Sequence, residues 1–489
     1  MEKTSRRDFL ERTAALGLAA GQSSRSVAGR QPRRQNQSWN FILILIDDLG
    51  WRDLGCYGSS TYLTPNIDRL ADQGMRFTDA YASAPVCSPT RASIMTGKYP
   101  ARLHLTDWIP GRKAWPTSKL LAPPFEQQLP HRELTIAEGL KNRGYTSVSI
   151  GKWHLGGPGF YPESQGFSQN IAGTQRGSPQ SYFGPFDLPG LQQSSAGNYL
   201  TEELTEKAEE FLEANRDRPF FLYLPEFAVH LPRQAREAVI EKYRKTIKPG
   251  DIQQDPVYAA MVESVDEAVG RLTRKLEELK IADRTVVLFT SDNGGLIYEG
   301  ASKRAVTNNA PLRAGKGHLY EGGIRVPLIV KWPGVTRPGS LCRVPACSID
   351  FLPTFYEIAG IQALPAQVDG VSLVSVLKGA GRLARELLFW HYPHYSNQGG
   401  VPSGAVRTGE YKLIEFYEDG RVELFNLAAD LGERRNLAAR APEKTKELRT
   451  LLKEWRSSVD AVMPLENPAY DPAKADQGLT GAESPTPPV

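Results

Sequence analysis

The chain of 489 residues is poor in cysteine, has almost no excess of charge and contains no long apolar run. Its four cysteines, Cys56, Cys87, Cys342 and Cys347, are too few for a disulfide scaffold. Free thiols are expected, with a short Cys342–Cys347 bridge as the alternative. A formal net charge of +4 over this length does not indicate a nucleic-acid-binding protein, although it is compatible with anionic substrates. We therefore expect neither a nucleic acid nor a membrane as partner.

The first 37 residues differ from the rest of the chain. Arg6 and Arg7 precede a mild apolar stretch, Ala14 to Ala20, and a serine-rich tract follows. This order resembles a twin-arginine export signal with a cleavage site near Ala28, and the apolar stretch is too short to span a bilayer. The alternative is a chance arginine pair in a disordered tail. We expect a protein exported to the periplasm or the extracellular space, and residues 1–37 are excluded from the fold.

From Phe41 onward, short apolar runs alternate with amphipathic stretches, which predicts βαβ units and a mostly parallel sheet. Buried strands are predicted at residues 41–46, 146–150, 220–224 and 286–290, and amphipathic helices around residues 204–212 and 261–279. Each of the four strands runs into polar or ionisable residues. Because parallel sheets bind ligands at the carboxyl ends of their strands, these residues are predicted to meet at one edge.

The pattern changes near residue 386. Short strands joined by turns between Ala405 and Leu427 predict antiparallel hairpins, and a helix is predicted from about Pro442 to Val459. The predicted organisation is therefore an export signal and linker at 1–37, a catalytic domain at 38–380, a smaller C-terminal α+β subdomain with an antiparallel sheet at 381–475, and a disordered tail at 476–489.

The segment Cys87–Arg91 is predicted to start a short helix. Ser88 suits the N-cap, Pro89 the first helical position, and Gly97 the end of the helix. Cys87 would then lie just ahead of a helix N-terminus, where free amide N–H groups and the helix dipole favour an anion. The residues alone leave three interpretations open: an activated thiolate, an anion site, or a small buried cysteine beside an ordinary cap.

The pattern Cys-x-Pro-x-Arg at this position resembles the signature of the sulfatase family, in which the cysteine is oxidised to formylglycine (3-oxoalanine). Further segments that resemble the family follow in its order and cover about residues 39 to 437: Asp47-Asp48, Thr96–Pro100, Gly151–Gly156, Ser291–Gly294, Gly315–Gly323 and Asp369–Leu373. The resemblance implies an alkaline-phosphatase-like α/β fold, with a large, mostly parallel mixed sheet flanked by helices, and sulfuric ester hydrolase activity.

Four hard oxygen donors lie at predicted strand ends: Asp47, Asp48, Asp292 and Asn293. Such donors suit Ca²⁺ or Mg²⁺ better than a soft metal. The family resemblance implies Ca²⁺, bound by these four residues and completed by the substrate sulfate or by the formylglycine at position 87.

The resemblance also implies a sulfate pocket lined by four basic residues, Lys152, His154, His230 and Lys316, with Arg91 as a further catalytic residue. In the implied mechanism, one hydroxyl of the hydrated aldehyde attacks sulfur, and His230 and Lys316 help the alcohol to leave. His154 then deprotonates the second hydroxyl so that sulfate is expelled, while Arg91 and Lys152 hold the nucleophile.

Four further residues are candidate substrate-binding residues, with ordinary packing as the alternative for each: His104, Trp108, His391 and His394. The export signal and the family context favour a sulfated polysaccharide or its fragments as substrate, and imply a formylglycine-generating enzyme as maturation partner. One alternative function is a phosphonate monoester or phosphodiester hydrolase with the same nucleophile. Another is an inactive sulfated-glycan-binding protein, against which the intact catalytic set argues.

Overall fold

The computed structural model describes residues 38–112, 118–299 and 304–474. The predicted export signal at 1–37 and the predicted disordered tail at 476–489 lie outside the described residues. None of the helices in the described ranges combines the length and the hydropathy that a membrane crossing requires.

Strands and helices alternate through most of the chain, and four consecutive strands follow. The strands are β1 (Asn40–Ile46), β2 (Met75–Tyr81), β3 (Leu120–Leu121), β4 (Thr146–Ile150), β5 (Gln169–Ile171), β6 (Phe220–Pro225), β7 (Thr285–Ser291), β8 (Tyr298–Glu299), β9 (Arg304–Ala305), β10 (Arg325–Lys331), β11 (Ser340–Cys342), β12 (Ala346–Cys347), β13 (Leu387–Tyr392), β14 (Ser403–Thr408), β15 (Tyr411–Phe416), β16 (Val422–Asn426) and β17 (Leu465–Glu466). The α-helices are α1 (Pro65–Gln73), α2 (Cys87–Thr96), α3 (Pro100–Leu103), α4 (Ile136–Lys141), α5 (Leu200–Ala214), α6 (Glu237–Thr246), α7 (Pro256–Glu278), α8 (Glu321–Ile324), α9 (Phe351–Ile358), α10 (Val374–Leu377) and α11 (Pro442–Ser458).

Within the described ranges, nine strands form one mixed sheet in the order β11-β2-β10-β7-β1-β6-β4-β5, with β12 beside β2. Strand β1 is parallel to both β6 and β7, and β4 is parallel to β6. Strand β10 is antiparallel to β7 and β2. The four strands predicted from apolar runs, β1, β4, β6 and β7, are therefore parallel neighbours, and their carboxyl ends meet at one edge.

Alternate side chains of β1 pack on opposite faces of this sheet. Ile42, Ile44 and Ile46 join a core that includes the apolar faces of α5 and α7, as the amphipathic pattern predicted. The intervening residues of β1 join a second core with α2, α4 and α9. Because helices cover both faces, the strand reads as a continuous apolar run.

Strands β13 to β16 form a separate antiparallel sheet in chain order, packed against α11. A buried ion network stabilises it: Lys412 of β15 lies 2.9 Å from a carboxylate oxygen of Glu321 and 2.9 Å from one of Glu433. The prediction of a mostly parallel sheet with an antiparallel C-terminal sheet is confirmed, whereas the domain boundary at residues 380 and 381 stays a prediction. All four cysteines are free thiols, so the alternative of a Cys342–Cys347 bridge is wrong.

Candidate active site

Helix α2 begins earlier than its sequence predicts. Cys87 is its first residue, extended Val86 is the N-cap, and Gly97 ends it with φ of 70°. The Ser88 hydroxyl does not cap the helix but accepts the Ile109 amide N–H at 3.1 Å, so its assignment as N-cap is wrong. Cys87 consequently lies within the first helical turn, where free amide N–H groups and the helix dipole favour negative charge.

The two acidic pairs predicted at strand ends lie side by side. Asp47 and Asp48 follow β1, Asp292 and Asn293 follow β7, and the strands pair in register up to their last residues. The Asn293 side-chain amide donates to Asp48 Oδ1 at 2.7 Å, and the Asp48 backbone N–H donates to Asp292 Oδ1 at 3.3 Å. All four side chains are buried. The chain thus folds four oxygen-bearing side chains into one cluster.

Each carboxylate of the cluster is paired with a cation. Lys152 Nζ lies 2.5 Å from Asp47 Oδ2, and Lys316 Nζ lies 2.7 Å from Asp48 Oδ1. The Arg91 guanidinium binds Asp292 Oδ2 through Nε at 2.9 Å and Nη2 at 2.8 Å. Its Nη1 donates to the backbone carbonyl of Lys152 at 2.7 Å, so Arg91 joins the signature helix to the ends of β4 and β7.

The Cys87 thiol faces the same charges. Burial raises the pKa of this thiol, although Lys152 and Lys316 act in the opposite direction, and Asp47 and Asp292 add to the increase. This direction of the pKa shift argues against the activated-thiolate interpretation of the motif.

The donor set fits a hard divalent cation. Asp47 Oδ1 and Asn293 Oδ1 are buried and have no hydrogen-bond partner in the described part of the chain. Burial, followed by the proximity of Asp292, raises the pKa of Asp47 to about 7. Burial also disfavours the Asp48 carboxylate, but the Lys316 ammonium lowers the pKa of Asp48 below its usual range. A cation with oxygen ligands would satisfy both orphaned oxygens and relieve the repulsion between the carboxylates.

Two histidines border the cluster with defined hydrogen bonds. His154 Nε2 lies 2.5 Å from the carbonyl oxygen of Ile109, whereas its Nδ1 is buried and has no partner among the described residues. A carbonyl only accepts, so Nε2 carries the proton and Nδ1 is the free proton acceptor. His230 Nε2 lies 3.6 Å from Asp48 Oδ2, with ligand atoms of Asp47, Asp48 and His230 all within 4.8 Å of one another. Burial, then Lys316, lowers the pKa of His230 to about 3, so this ring is neutral.

The four candidate substrate-binding residues are placed differently. His394 Nε2 lies 2.8 Å from the Thr106 hydroxyl, in the segment that also carries half-buried Trp108. His391 contacts the Tyr417 hydroxyl and the Val462 carbonyl through its two ring nitrogens, and these bonds belong to packing around the second sheet. His104 is half-buried and follows α3. Their role in substrate binding stays a prediction.

Three residues near the site were missed from the sequence. Asp107 is buried and accepts the Trp108 N–H at 2.9 Å and the Tyr392 hydroxyl at 3.0 Å. Glu226 follows β6, and both of its carboxylate oxygens are buried without a partner among the described residues. Gly177 touches the His154 ring, since a Cβ there would lie 2.7 Å from its Cε1. The only sequence signal for any of the three was the polar content of the loop after α3, which contains Asp107.

Comparison with known proteins decides the family. The family model described as Sulfatase matches residues 39–361, and the model described as N-sulphoglucosamine sulphohydrolase, C-terminal, matches residues 314–459. The chain belongs to the sulfatase family. This sulfatase is 35% identical to a protein named Sulfatase from Formosa agariphila, over 84% of this chain and 86% of that protein. It is 33% identical to arylsulfatase A of Homo sapiens, over 91% of this chain and 90% of the relative.

Solved structures agree with the family assignment. A crystal structure of Ps i-CgsB in complex with k-i-k-neocarrahexaose superposes with a TM-score of 0.75 at 28% identity, over 90% of this sulfatase and 96% of that chain. The alkaline-phosphatase-like fold predicted from the motifs is thereby confirmed, and the protein is a sulfuric ester hydrolase.

Proposed function

We propose that this sulfatase removes sulfate groups from sulfated carbohydrates, with a formylglycine derived from Cys87 as nucleophile and Ca²⁺ held by Asp47, Asp48, Asp292 and Asn293. The observation that carries the proposal is the position of Cys87. It lies in the first turn of a buried helix, close enough to Lys152, Lys316 and the acidic cluster for their charges to act on it. The two orphaned oxygens of Asp47 and Asn293 support the metal.

Formylglycine and Ca²⁺ would supply chemistry that the twenty standard side chains lack. Hydrated formylglycine at position 87 would supply two hydroxyls on one carbon, one as the nucleophile and one as the group whose deprotonation releases sulfate. Ca²⁺ would neutralise sulfate oxygens and ease the loss of a hydroxyl proton. Around them, Lys152 and Lys316 provide positive charge for a sulfate and for the charge that develops on the leaving oxygen. Arg91 fixes Asp292 and the Lys152 backbone, and so positions both.

Proton transfer falls to His154 and Lys316. We assign His154 as the base that releases sulfate, through Nδ1, because Nε2 is committed to the Ile109 carbonyl. Burial disfavours the Lys316 ammonium, but Asp48 raises its pKa, so Lys316 stays a cation and a hydrogen-bond donor. We assign Lys316 as the proton donor to the leaving oxygen, and we place the neutral ring of His230, which meets Lys316 at Asp48, beside that oxygen.

The substrate class and the maturation route rest on further observations. The complex of Ps i-CgsB with an oligosaccharide, at 28% identity, supports a sulfated carbohydrate. Cys87 is only 3% exposed, which supports conversion by a formylglycine-generating enzyme before folding is complete. The Arg6-Arg7 segment supports export of the folded and modified protein to the periplasm or beyond.

A comparison of substrates tests the proposal. Purified protein with converted Cys87 is assayed on an aryl sulfate, an aryl phosphate diester and a panel of defined sulfated disaccharides, with Cys87→Ala as the blank. We expect sulfate release from at least one disaccharide and from the aryl sulfate, and slower turnover of the diester. Faster diester turnover would favour the phosphodiester hydrolase alternative, and binding of the disaccharides without turnover would favour the glycan-binding alternative.

A further inference from the structure

A cleft of about 810 Å³ lies beside β2 of the large sheet, and none of its lining residues belongs to the active site. Its lining includes Met75 at the start of β2, the segment Leu341–Pro345, the loop at residues 379–386 and the turn at the end of β14. Strand β2 runs parallel to β1, since β10 is antiparallel to both β2 and β7. Met75 therefore lies at the amino edge of the sheet, whereas Pro345 precedes Ala346, which pairs with Ala80, so the cleft follows β2 along most of its length.

Arginine dominates the charge of this cleft. Arg385 is held by Asp350 at 2.8 Å, and Arg407 by Asp79 at 2.7 Å, so these two guanidiniums are largely neutralised and fixed. Arg343 and Arg382 lie in the same lining, are exposed, and have no ion pair or hydrogen bond to any other described residue. The lining also contains the exposed carboxylate Glu386. Two unpaired guanidiniums against one carboxylate leave an excess of positive charge.

The rest of the lining is largely apolar. Leu341 is 55% exposed, an unusual state for a leucine in a sheet strand, and Val344, Pro345 and Leu383 line the same space. Ligand sites of this volume combine an apolar surface with a few fixed polar groups. A small inorganic anion would use only the guanidiniums. A saccharide that carries sulfate uses both surfaces, because guanidinium pairs with two oxygens of an oxyanion and the sugar ring offers C–H faces to apolar side chains.

We propose that this cleft is a second, non-catalytic binding site for sulfated saccharide chains. The ligand class rests on the proposed function, because the active site would act on the same chains. Arg343 and Arg382 bind sulfate groups, and Leu341 and its apolar neighbours contact the rings. The site holds a polymeric substrate on the enzyme while the separate active site stays open for catalysis, so it acts on long chains and not on small aryl sulfates.

The binding experiment needs no turnover. Dextran sulfate fragments are titrated into the full chain carrying Cys87→Ala, and into the same chain with Arg343→Gln and Arg382→Gln added. We expect the double substitution to weaken binding by about tenfold at low salt. The matched control carries Arg274→Gln and Arg440→Gln. Both arginines are exposed and lie outside the cleft lining, and their substitution removes the same amount of positive charge. Unsulfated dextran of equal length should not bind. Equal weakening in cleft and control variants overturns the proposal.

The kinetic experiment separates the cleft from the catalytic function. The test substrate is the sulfated polysaccharide that the wild type desulfates best, and the enzyme carries converted Cys87. For this substrate the KM of the cleft variant should be about tenfold higher than that of the wild type, with kcat unchanged. Its kinetics on an aryl sulfate should also be unchanged. The control variant should match the wild type. An equal loss of kcat/KM on the polysaccharide and on the aryl sulfate, or an unchanged KM for the polysaccharide, overturns the proposal of a binding site in the cleft. If the wild type releases sulfate from no polysaccharide, the proposed function fails, and the dextran sulfate titration still decides the cleft.

Discussion

The imidazole Nε2 of His154 lies 2.5 Å from the backbone carbonyl oxygen of Ile109 and forms a hydrogen bond to it. The same Ile109 residue donates its N–H to the Ser88 hydroxyl, beside Cys87 in the signature helix. One peptide segment therefore holds both the base and the start of the helix that carries the nucleophile. Because the His154 backbone N–H is also bound, to the Thr174 carbonyl at 3.0 Å, the ring has little freedom to turn.

Gly177 completes this arrangement, and Gly177→Ala should damage catalysis without unfolding the protein. The added carbon would lie 2.7 Å from His154 Cε1 and 2.9 Å from Nε2, so the ring or the segment that carries residue 177 must shift. We expect kcat for an aryl sulfate to fall by about 10²-fold, because the ring assigned as the base is displaced. The measurement is steady-state kinetics together with a thermal unfolding midpoint.

Gly157→Ala is the matched control for this substitution. It lies close in sequence to His154, and its added carbon would have Gln175 Cβ at 4.0 Å as the nearest neighbour. Its kcat should equal that of the wild type. If Gly177→Ala also keeps wild-type kcat, the position assigned to His154 is wrong.

Removal of the metal should abolish turnover and lower stability together. The orphaned oxygens of Asp47 and Asn293 indicate that the folded site is incomplete without a cation. We expect chelation to stop activity and Ca²⁺ to restore it better than Zn²⁺. At a hundredfold excess of Ca²⁺ over its Kd, the bound ion adds about 3 kcal/mol of stability, which calorimetry or thermal unfolding detects.

Two carboxylate variants sharpen the metal test. Asp47→Asn should lose the stabilisation by Ca²⁺. Asp266→Asn should keep it, because Asp266 is a buried carboxylate bound to the amides of Asn66 and Ile67, away from the cluster. Full turnover by protein shown to be free of metal would contradict the calcium assignment.

Much of the fold could be predicted because its central strands are buried on both faces. Strand β1 was predicted at residues 41–46 and extends over Asn40–Ile46, and β4 matches its predicted range. Strand β2 was not predicted, since Met75–Tyr81 mixes charged and apolar residues at the partly exposed side of the sheet. Its pairing with β10 is set by contacts across the fold, and no local pattern reveals it.

The site was predictable to the extent that its residues follow strands or belong to motifs. Asp292 and Lys152 satisfy both conditions, so their convergence followed from the parallel sheet. The start of α2 was misplaced because Ser88 has the properties of a cap but is bound to Ile109 instead. Gly177 lies outside the motifs and touches the His154 ring, and Glu226 is buried without a side-chain partner among the described residues, so only the three-dimensional structure shows their positions.

Glu226 should make stability fall as pH rises. Burial raises the pKa of its carboxyl from 4.5 to about 8, so the folded state binds one more proton than the unfolded state between these values. The stability that this proton confers is complete below pH 4.5 and is lost as pH rises to 8, by about 4 kcal/mol. Glu226→Gln is neutral throughout and should lack this loss.

Denaturant unfolding of both proteins between pH 5 and pH 8 checks the Glu226 prediction. The variant should become more stable than the wild type at the upper end of the range. Exposed Glu163→Gln is the control for removal of a carboxyl and should show no comparable change with pH. Parallel stability profiles for wild type and Glu226→Gln would show that Glu226 stays ionised in the fold.

The assignment of Cys87 as the precursor of the nucleophile predicts both a modified peptide and the behaviour of two variants. Mass spectrometry of the protein from its native host should show the Cys87 peptide with aldehyde oxygen in place of sulfur. Cys87→Ala should keep the fold, at a cost of about 1–2 kcal/mol for the lost buried sulfur, and lose turnover. Cys87→Ser should complete at most one half-reaction and retain a sulfate ester, because no second hydroxyl remains on that carbon to expel it. Intact-protein mass after incubation with an aryl sulfate detects this ester. Sustained multiple turnover by the Cys87→Ala variant, free of wild-type enzyme, would falsify the assigned nucleophile.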